Sequence, residues 1–276
     1  MRSCIRFLPV IAAAALLGCA TAPQSGESTL SVVTLNIWHD QRDWPARLEL
    51  IVAELRRLDP DVIALQEVLQ HESLPNQAET IARRLGYEYH FSSVDGAASV
   101  RRYGNAILTR DPVQARSWRA LVPLNDYRTV AHVRVAVAGR EIDIYNTHLH
   151  HTEAGGEIRR EQLGDLLAFI DATRAGGPVL VLGDFNARSS APELARLGER
   201  FADTWSTVHG PDAAAAPTTL NPELGHTARR IDHIYFERGA FQPLHARIIL
   251  AEPDAAGTWA SDHFGLFVQL LVGSGG

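Results

Sequence analysis

Residues 178–190 read PVLVLGDFNARSS, a continuous apolar run that stops abruptly on a glycine, a carboxylate and an amide. The run at 179–182 is too short for a buried helix and has the pattern of a strand covered on both faces. The chain must therefore supply packing layers on either side of it. The arrangement recurs. Residues 31–37 read as a strand with Asn36 at its end, 61–66 as a strand running into Glu67, and 141–147 as a strand closed by His148. Asp232 opens the strand at 231–236, and Asp262 and His263 precede the one at 264–270. One Asp or Asn at a strand end is ordinarily a turn residue. Six such clusters describe a crevice, because open sheets take ligands beyond the ends of their strands.

Between the strands, Leu48, Ile51, Val52, Leu55 and Leu58 recur at helical spacing after Asp43-Trp44-Pro45, a cap-and-proline helix start. Residues 76–85 read as a helix stopped by Gly86, 156–173 as a long helix, and 192–197 as a short one. Further strands are read at 87–92, 105–109, 113–118, 129–138 and 241–250, with a hairpin turn at Ala138-Gly139-Arg140. Strands joined partly by helices and partly by hairpins predict an α/β fold with mixed sheets. The 276 residues, 46% hydrophobic and without an internal linker, suit one sizeable domain.

The first residues read as a targeting segment. Arg2 and Arg6 flank the start of an apolar stretch at 7–17, too short to span a bilayer comfortably, which leads into Leu16-Leu17-Gly18-Cys19. That ending resembles the lipobox of bacterial lipoproteins. It implies a signal peptide over 1–18, an acylated Cys19, a tether over 19–29 and a domain over 30–272. In such lipoproteins an Asp after the cysteine favours the inner membrane, so Ala20 implies a lipid anchor in the outer membrane of the cell envelope. The only cysteines are Cys4 and Cys19, which leaves the mature body without a disulfide or a thiol nucleophile. All 26 basic residues are arginine, which excludes a Schiff-base or P-loop lysine. A formal net charge of −6 gives no help in gripping a polyanion, although a metal-loaded acidic cleft still binds phosphodiesters. Nucleic acid therefore stays open as a substrate only, and the chain is read as a monomer.

Glu67, Asp184 and Asp262 are hard oxygen ligands suited to Mg²⁺, Mn²⁺ or Ca²⁺, with Asn36 offering an amide oxygen. His148 and His263 can donate to a charged oxygen or carry a proton near neutral pH. Asp232 can hold an imidazole in one tautomer. A divalent cation, an oxyanion donor and an oriented histidine suit the attack of water on a phosphate ester. His148, His150 and His151 also admit a zinc reading, which the hard oxygens elsewhere disfavour.

The motifs TLNIW at 34–38, LQE at 65–67, NTHL at 146–149, GDFN at 183–186, RIDHIY at 230–235 and SDH at 261–263 resemble those of the endonuclease/exonuclease/phosphatase superfamily, in that family's order. The resemblance implies a four-layer α/β sandwich, two packed mixed sheets flanked by helices. It implies Glu67 as the main metal ligand, assisted by Asn36 and Asp262, and His148 as a stabiliser of the transition state at the phosphate. Asp184 and Asn186 would position the attacking water or a phosphate oxygen. Asp232 would pair with His263, the favoured general base, with Asp184 the other candidate for that proton. An acidic partner for His148, present in some members, is not identifiable in the sequence.

Arg101, Arg102, Tyr103 and Arg128 are candidate contacts to a substrate phosphate, although such residues are more often solvated loop charges, and Thr219 lies where the family places a substrate-side threonine. The sequence thus predicts a metal-dependent phosphoesterase, leaning to a phospholipid-type phosphodiester because of the anchor and the acidic body. A DNA or RNA nuclease is the alternative. A lipoprotein that only binds is the third reading, since a fold alone does not prove activity.

Overall fold

The computed structural model describes residues 28–137, 139–210 and 218–273. The signal segment, Cys19 and the alanine-rich run at 213–216 lie outside the described residues. In chain order the elements are β1 (Ser28–Asn36), α1 (Trp44–Leu58), β2 (Val62–Gln70), α2 (Gln77–Leu85), β3 (Glu88–Ser93) and β4 (Arg102–Thr109). Then come β5 (Ala115–Ala120), β6 (Thr129–Val137), β7 (Arg140–His148), α3 (Gly156–Thr173) and β8 (Val179–Asp184). The last group is α4 (Ala195–Arg200), β9 (Phe201–Asp203), α5 (Thr204–His209), β10 (Asp232–Glu237), β11 (Phe241–Ile249) and β12 (Gly265–Val272).

Two crossovers explain the mixed sheets. A parallel pair needs a long connection, and α1 and α3 provide one each, making β1 parallel to β2 and β7 parallel to β8. Hairpins and loops leave every other pairing antiparallel. One six-stranded sheet runs β11-β12-β1-β2-β4-β3 and the other β5-β6-β7-β8-β10-β9. The sheets face each other across a core that includes Val32, Ala64 and Val268 from the first and Ile144, Leu180 and Ile234 from the second. Outside the first sheet, α1 and α2 bury Ile51, Leu55 and Ile81; outside the second, α3 buries Leu163, Leu166 and Ile170. The fold is the four-layer sandwich. Each fully buried leucine or isoleucine in these layers stabilises by roughly 1.5–3 kcal/mol.

The helix starts follow local chemistry. The Asp43 carboxylate accepts from the Ala46 amide and the Asn76 side chain from the Glu79 amide, while Gly86 ends α2 in the left-handed conformation. Several boundaries differ from the sequence reading, β2 running on to Gln70 among them. Ser28 and Thr29 pair with Val272 and Leu271, so the domain begins two residues inside the tether read at 19–29. Strand β4 begins at Arg102, not at 105, because residues 102–104 continue the pairing with β2 beyond a bulge. The segment at 201–209 forms β9 and α5, both too short to show a period.

Candidate active site

Strand direction brings the polar residues to one end of the sandwich. The C-terminal ends of β1, β7 and β8 and the start of the antiparallel β10 all lie there. In the second sheet, register sets a row: His148 pairs with Asp184 across the parallel ladder, and Asp184 with Asp232 across the antiparallel one. Gly183 makes the row possible. Its φ is 139°, and a Cβ at that position would lie 1.9 Å from the Thr147 carbonyl oxygen. The glycine therefore serves a close approach within β8 more than a bend on leaving it.

Asp184 is the hub. Its Oδ1 accepts from the Asn186 amide at 2.9 Å, and its Oδ2 accepts from Asn36 Nδ2 at 3.1 Å across the two sheets. The Nε2 atoms of His148 and His263 lie 3.4 and 3.9 Å from the same Oδ2. Asn186, with φ 51°, also donates from Nδ2 to the Leu149 carbonyl and so ties the loop after β8 to the end of β7. The first turn after β8 is thus an Asx turn, and Phe185 points back into the α3 layer.

His263 reaches the row from the first sheet. Its Nδ1 donates to Asp232 Oδ2 at 2.9 Å, which leaves Nε2 facing the centre. Burial alone would lower the His263 pKa, but the charge of Asp232 and this hydrogen bond outweigh it and raise the pKa to about 10. Asp184 moves upward too, to about 7, through burial and then the neighbouring Asp232 charge. His148 goes the other way, well below its ordinary value, because of burial and then the positive charges of Arg128 and His263. Its Nδ1 has no hydrogen-bond partner among the described residues, so no acid orients this ring.

Glu67 is not at a strand end, as its sequence context suggests, but inside β2. Leu65 pairs with Ala106 and Val68 with Gly104, so Gln66 and Glu67 form a bulge, and Glu67 adopts a φ of 58°. A bulge re-aims the side chain it carries. The carboxylate, 20% exposed, turns to a cleft of about 540 Å³ that Tyr103, Arg128 and Tyr127 also line. Buried amides secure the bulge: Gln66 donates to Asn146 Oδ1 at 2.7 Å, and Asn146 donates to the Leu65 and Ala106 carbonyls. Both amides lie in the LQE and NTHL motifs, but sequence alone assigned neither a role.

Arg47 is another residue the sequence does not reveal. Fully buried in α1, it donates to the carbonyls of Ile37, His39, Gln41 and Ala260, tying the loop after β1 to the loop that carries Asp262. Asp262 itself, 8% exposed, accepts from His226 at 3.2 Å.

The donor set suits a divalent cation. Among the described residues Glu67 has no ion-pair partner closer than His39 at 3.9 Å, and Asp262 adds a second hard oxygen. Asn36 Oδ1 already accepts from the Trp38 amide at 3.0 Å and keeps one lone pair. Two clusters of three place ligand-type atoms within 4.8 Å of one another among the described residues, Asp184–Asp232–His263 and Asp126–His150–His151. Glu67 and Asp262 belong to neither. The second cluster also divides the histidine trio of the zinc reading: β7 ends at His148, so strand alternation stops, and His150 turns to Asp126 at 2.9 Å instead.

Two proposed substrate contacts are corrected. Arg102 lies on the face of β4 opposite Tyr103 and stacks its guanidinium over Phe91 at 4.9 Å, whereas its neighbour Arg101 does line the cleft. Thr219 is fully buried, and its hydroxyl accepts from the amides of Ile231 and Asp232, so it fixes the start of β10. Tyr103 and Arg128 do face the cleft. Arg128 is 8% exposed, with its Nε in an ion pair 3.7 Å from Asp126 Oδ2 and Nη2 3.4 Å from His151 Nδ1. Burial and then the charge of Glu67 push the Tyr103 phenol upward in pKa.

Comparison with known proteins agrees with this arrangement. The profile of the Endonuclease/Exonuclease/phosphatase family matches residues 33–263. Human Tyrosyl-DNA phosphodiesterase 2 is 27% identical over 265 residues, covering 90% of this chain and 70% of that protein. Drosophila melanogaster Nocturnin is 30% identical over 185 residues, 58% of this chain and 28% of that protein. The crystal structure of D. rerio TDP2 complexed with a single-strand DNA product shares the fold, with a TM-score of 0.74 at 20% identity over 88% of this chain and 99% of that one.

Proposed function

The chain belongs to the endonuclease/exonuclease/phosphatase family, enzymes that act on phosphate ester bonds, and from that premise we propose that it is a divalent-metal-dependent phosphodiesterase. The observation that carries the reading is the row His148–Asp184–Asp232 in strand register, completed by His263 from the opposite sheet. A binding protein has no use for a buried acid with histidine nitrogens at 3.4 and 3.9 Å and a second acid pinning one of them.

Each residue then has a task. The Asp184 carboxylate, held by the Asn186 amide and by Asn36, takes the proton of the attacking water. Asp232 keeps His263 charged, and its free Nε2 donates to a phosphoryl oxygen. This moves the base assignment from His263 to Asp184, because a histidine held protonated by Asp232 is a donor. His148, neutral through burial, donates to the same developing charge. Glu67 and Asp262, with Asn36 beside them, would hold a cation of the Mg²⁺, Mn²⁺ or Ca²⁺ class, which supplies charge neutralisation at the phosphoryl group when bound. Arg128, buried and only partly bonded, would grip a phosphate oxygen from the cleft.

For the substrate we favour a phosphodiester with an apolar portion, as in a phospholipid headgroup. Val100, Leu124 and Tyr127 are 65%, 64% and 58% exposed, and they belong to the two loops that carry the cleft residues Arg101 and Arg128. The similarity to Tyrosyl-DNA phosphodiesterase 2 favours DNA as the second reading. A lipid on Cys19 would hold the enzyme on the outer membrane; no helix among the described residues is long and apolar enough to cross one. A metal-supplemented panel of sphingomyelin, phosphatidylinositol phosphates, plasmid DNA and RNA separates the readings. Turnover of the lipids above that of nucleic acid is expected, and nucleic-acid cleavage alone rejects the lipid reading.

A further inference from the structure

His39 stands beside the candidate metal ligands without belonging to any of the family motifs. It lies in the loop after β1 at φ 29°, left-handed geometry that a side-chain-bearing residue adopts only when its surroundings impose it. Gln77 Nε2 and Arg47 Nη1 impose it here, donating to the His39 carbonyl at 2.8 and 3.2 Å.

The ring is oriented as firmly as the backbone. His39 Nδ1 is 2.9 Å from Asp40 Oδ1, and Asp40 Oδ2 is 3.3 Å from His71 Nε2. A carboxylate only accepts, so the His39 proton sits on Nδ1. That leaves Nε2 on the side of Glu67, whose Oε2 lies 3.9 Å away, too far for a hydrogen bond. A cation seated in that gap would be bound by both side chains. A carboxylate on one ring nitrogen and a cation on the other is also how metal-binding histidines are usually held.

We infer that His39 Nε2 is a ligand of the divalent cation together with Glu67, with Asp40 as its positioning residue, and that this nitrogen biases the centre toward Mn²⁺ over Mg²⁺. The inference rests on the metal-dependent reading above. Ligand bonds of about 2.0–2.2 Å put two atoms on one ion roughly 3.0–3.5 Å apart, so closure from 3.9 Å needs a shift of about 0.4–0.9 Å. Imidazole nitrogen suits first-row transition ions, whereas Mg²⁺ prefers oxygen alone.

The test is electron spin-echo spectroscopy of Mn²⁺ bound to the full chain, with Mn²⁺ and Mg²⁺ affinities measured by calorimetry. Wild type is expected to show ¹⁴N coupling from a bound imidazole. His39→Ala should abolish it and weaken Mn²⁺ about tenfold or more, with Mg²⁺ affinity moving by less than about threefold. Asp40→Asn, on a half-exposed side chain, should weaken Mn²⁺ about tenfold, and it serves if His39→Ala does not fold. Mn²⁺ bound without ¹⁴N coupling, or with coupling that survives His39→Ala, overturns the inference while the metal centre stands. Wild-type protein that binds no Mn²⁺ overturns both.

Discussion

The two sheets contribute to one end of the molecule by different means. In the second sheet, His148, Asp184 and Asp232 are at most 3% exposed and sit side by side because the ladders of β7, β8 and β10 put them there. In the first, Glu67 projects from a bulge and His39 from a loop with left-handed geometry at Trp38, His39 and Arg42, both turned to an open cleft. Groups that must hold sub-ångström geometry are fixed by strand register, the most rigid device the fold has. Groups that must admit a cation and a substrate stand on bulges and loops, where insertions and side-chain changes leave the sheets intact.

Removing the donor that completes the rigid row from the opposite sheet is the most severe break. His263→Ala should lower kcat on a generic phosphodiester by about 10³-fold, with circular dichroism unchanged. Breaking the register itself should cost stability as well. Gly183→Ala drives a methyl into the Thr147 carbonyl, and a loss of about 3 kcal/mol or more in urea unfolding is expected; a variant as stable as wild type would show that the close approach is not needed.

A pH profile sharpens the comparison by titrating the row alone. Asp184 must lose its proton, so activity rises through its raised pKa of about 7. His263 must keep its proton, so activity falls through about 10. Asp232→Asn removes the charge that holds this upper limb, which should move to lower pH while the lower limb moves less. An upper limb unchanged in that variant would separate it from His263.

The same contrast explains what the sequence made legible. The row was readable because each of its residues sits next to a strand of clear composition, and direction of travel then brings the strand ends together. The bulge was not, since VIALQEVLQ runs through it without a glycine or proline to mark it. Arg101 and Arg102 could not be told apart because the face of a residue follows register, and β4 begins three residues earlier than its apolar run. Arg47 looked like any solvated helix arginine; its burial depends on two loops that meet over it only in three dimensions. Thr219 kept its place beside the site but serves the backbone of β10.

The measurement that bears most directly on the whole account is hydrolysis of bis(p-nitrophenyl) phosphate as a function of added Mg²⁺ or Mn²⁺, for wild type and Glu67→Gln. Wild type is expected to be inactive after chelation and restored by the metal, and Glu67→Gln to need at least about tenfold more of it. Turnover that survives chelation, or a titration curve that Glu67→Gln leaves in place, would contradict a cation at the bulge acting with the row.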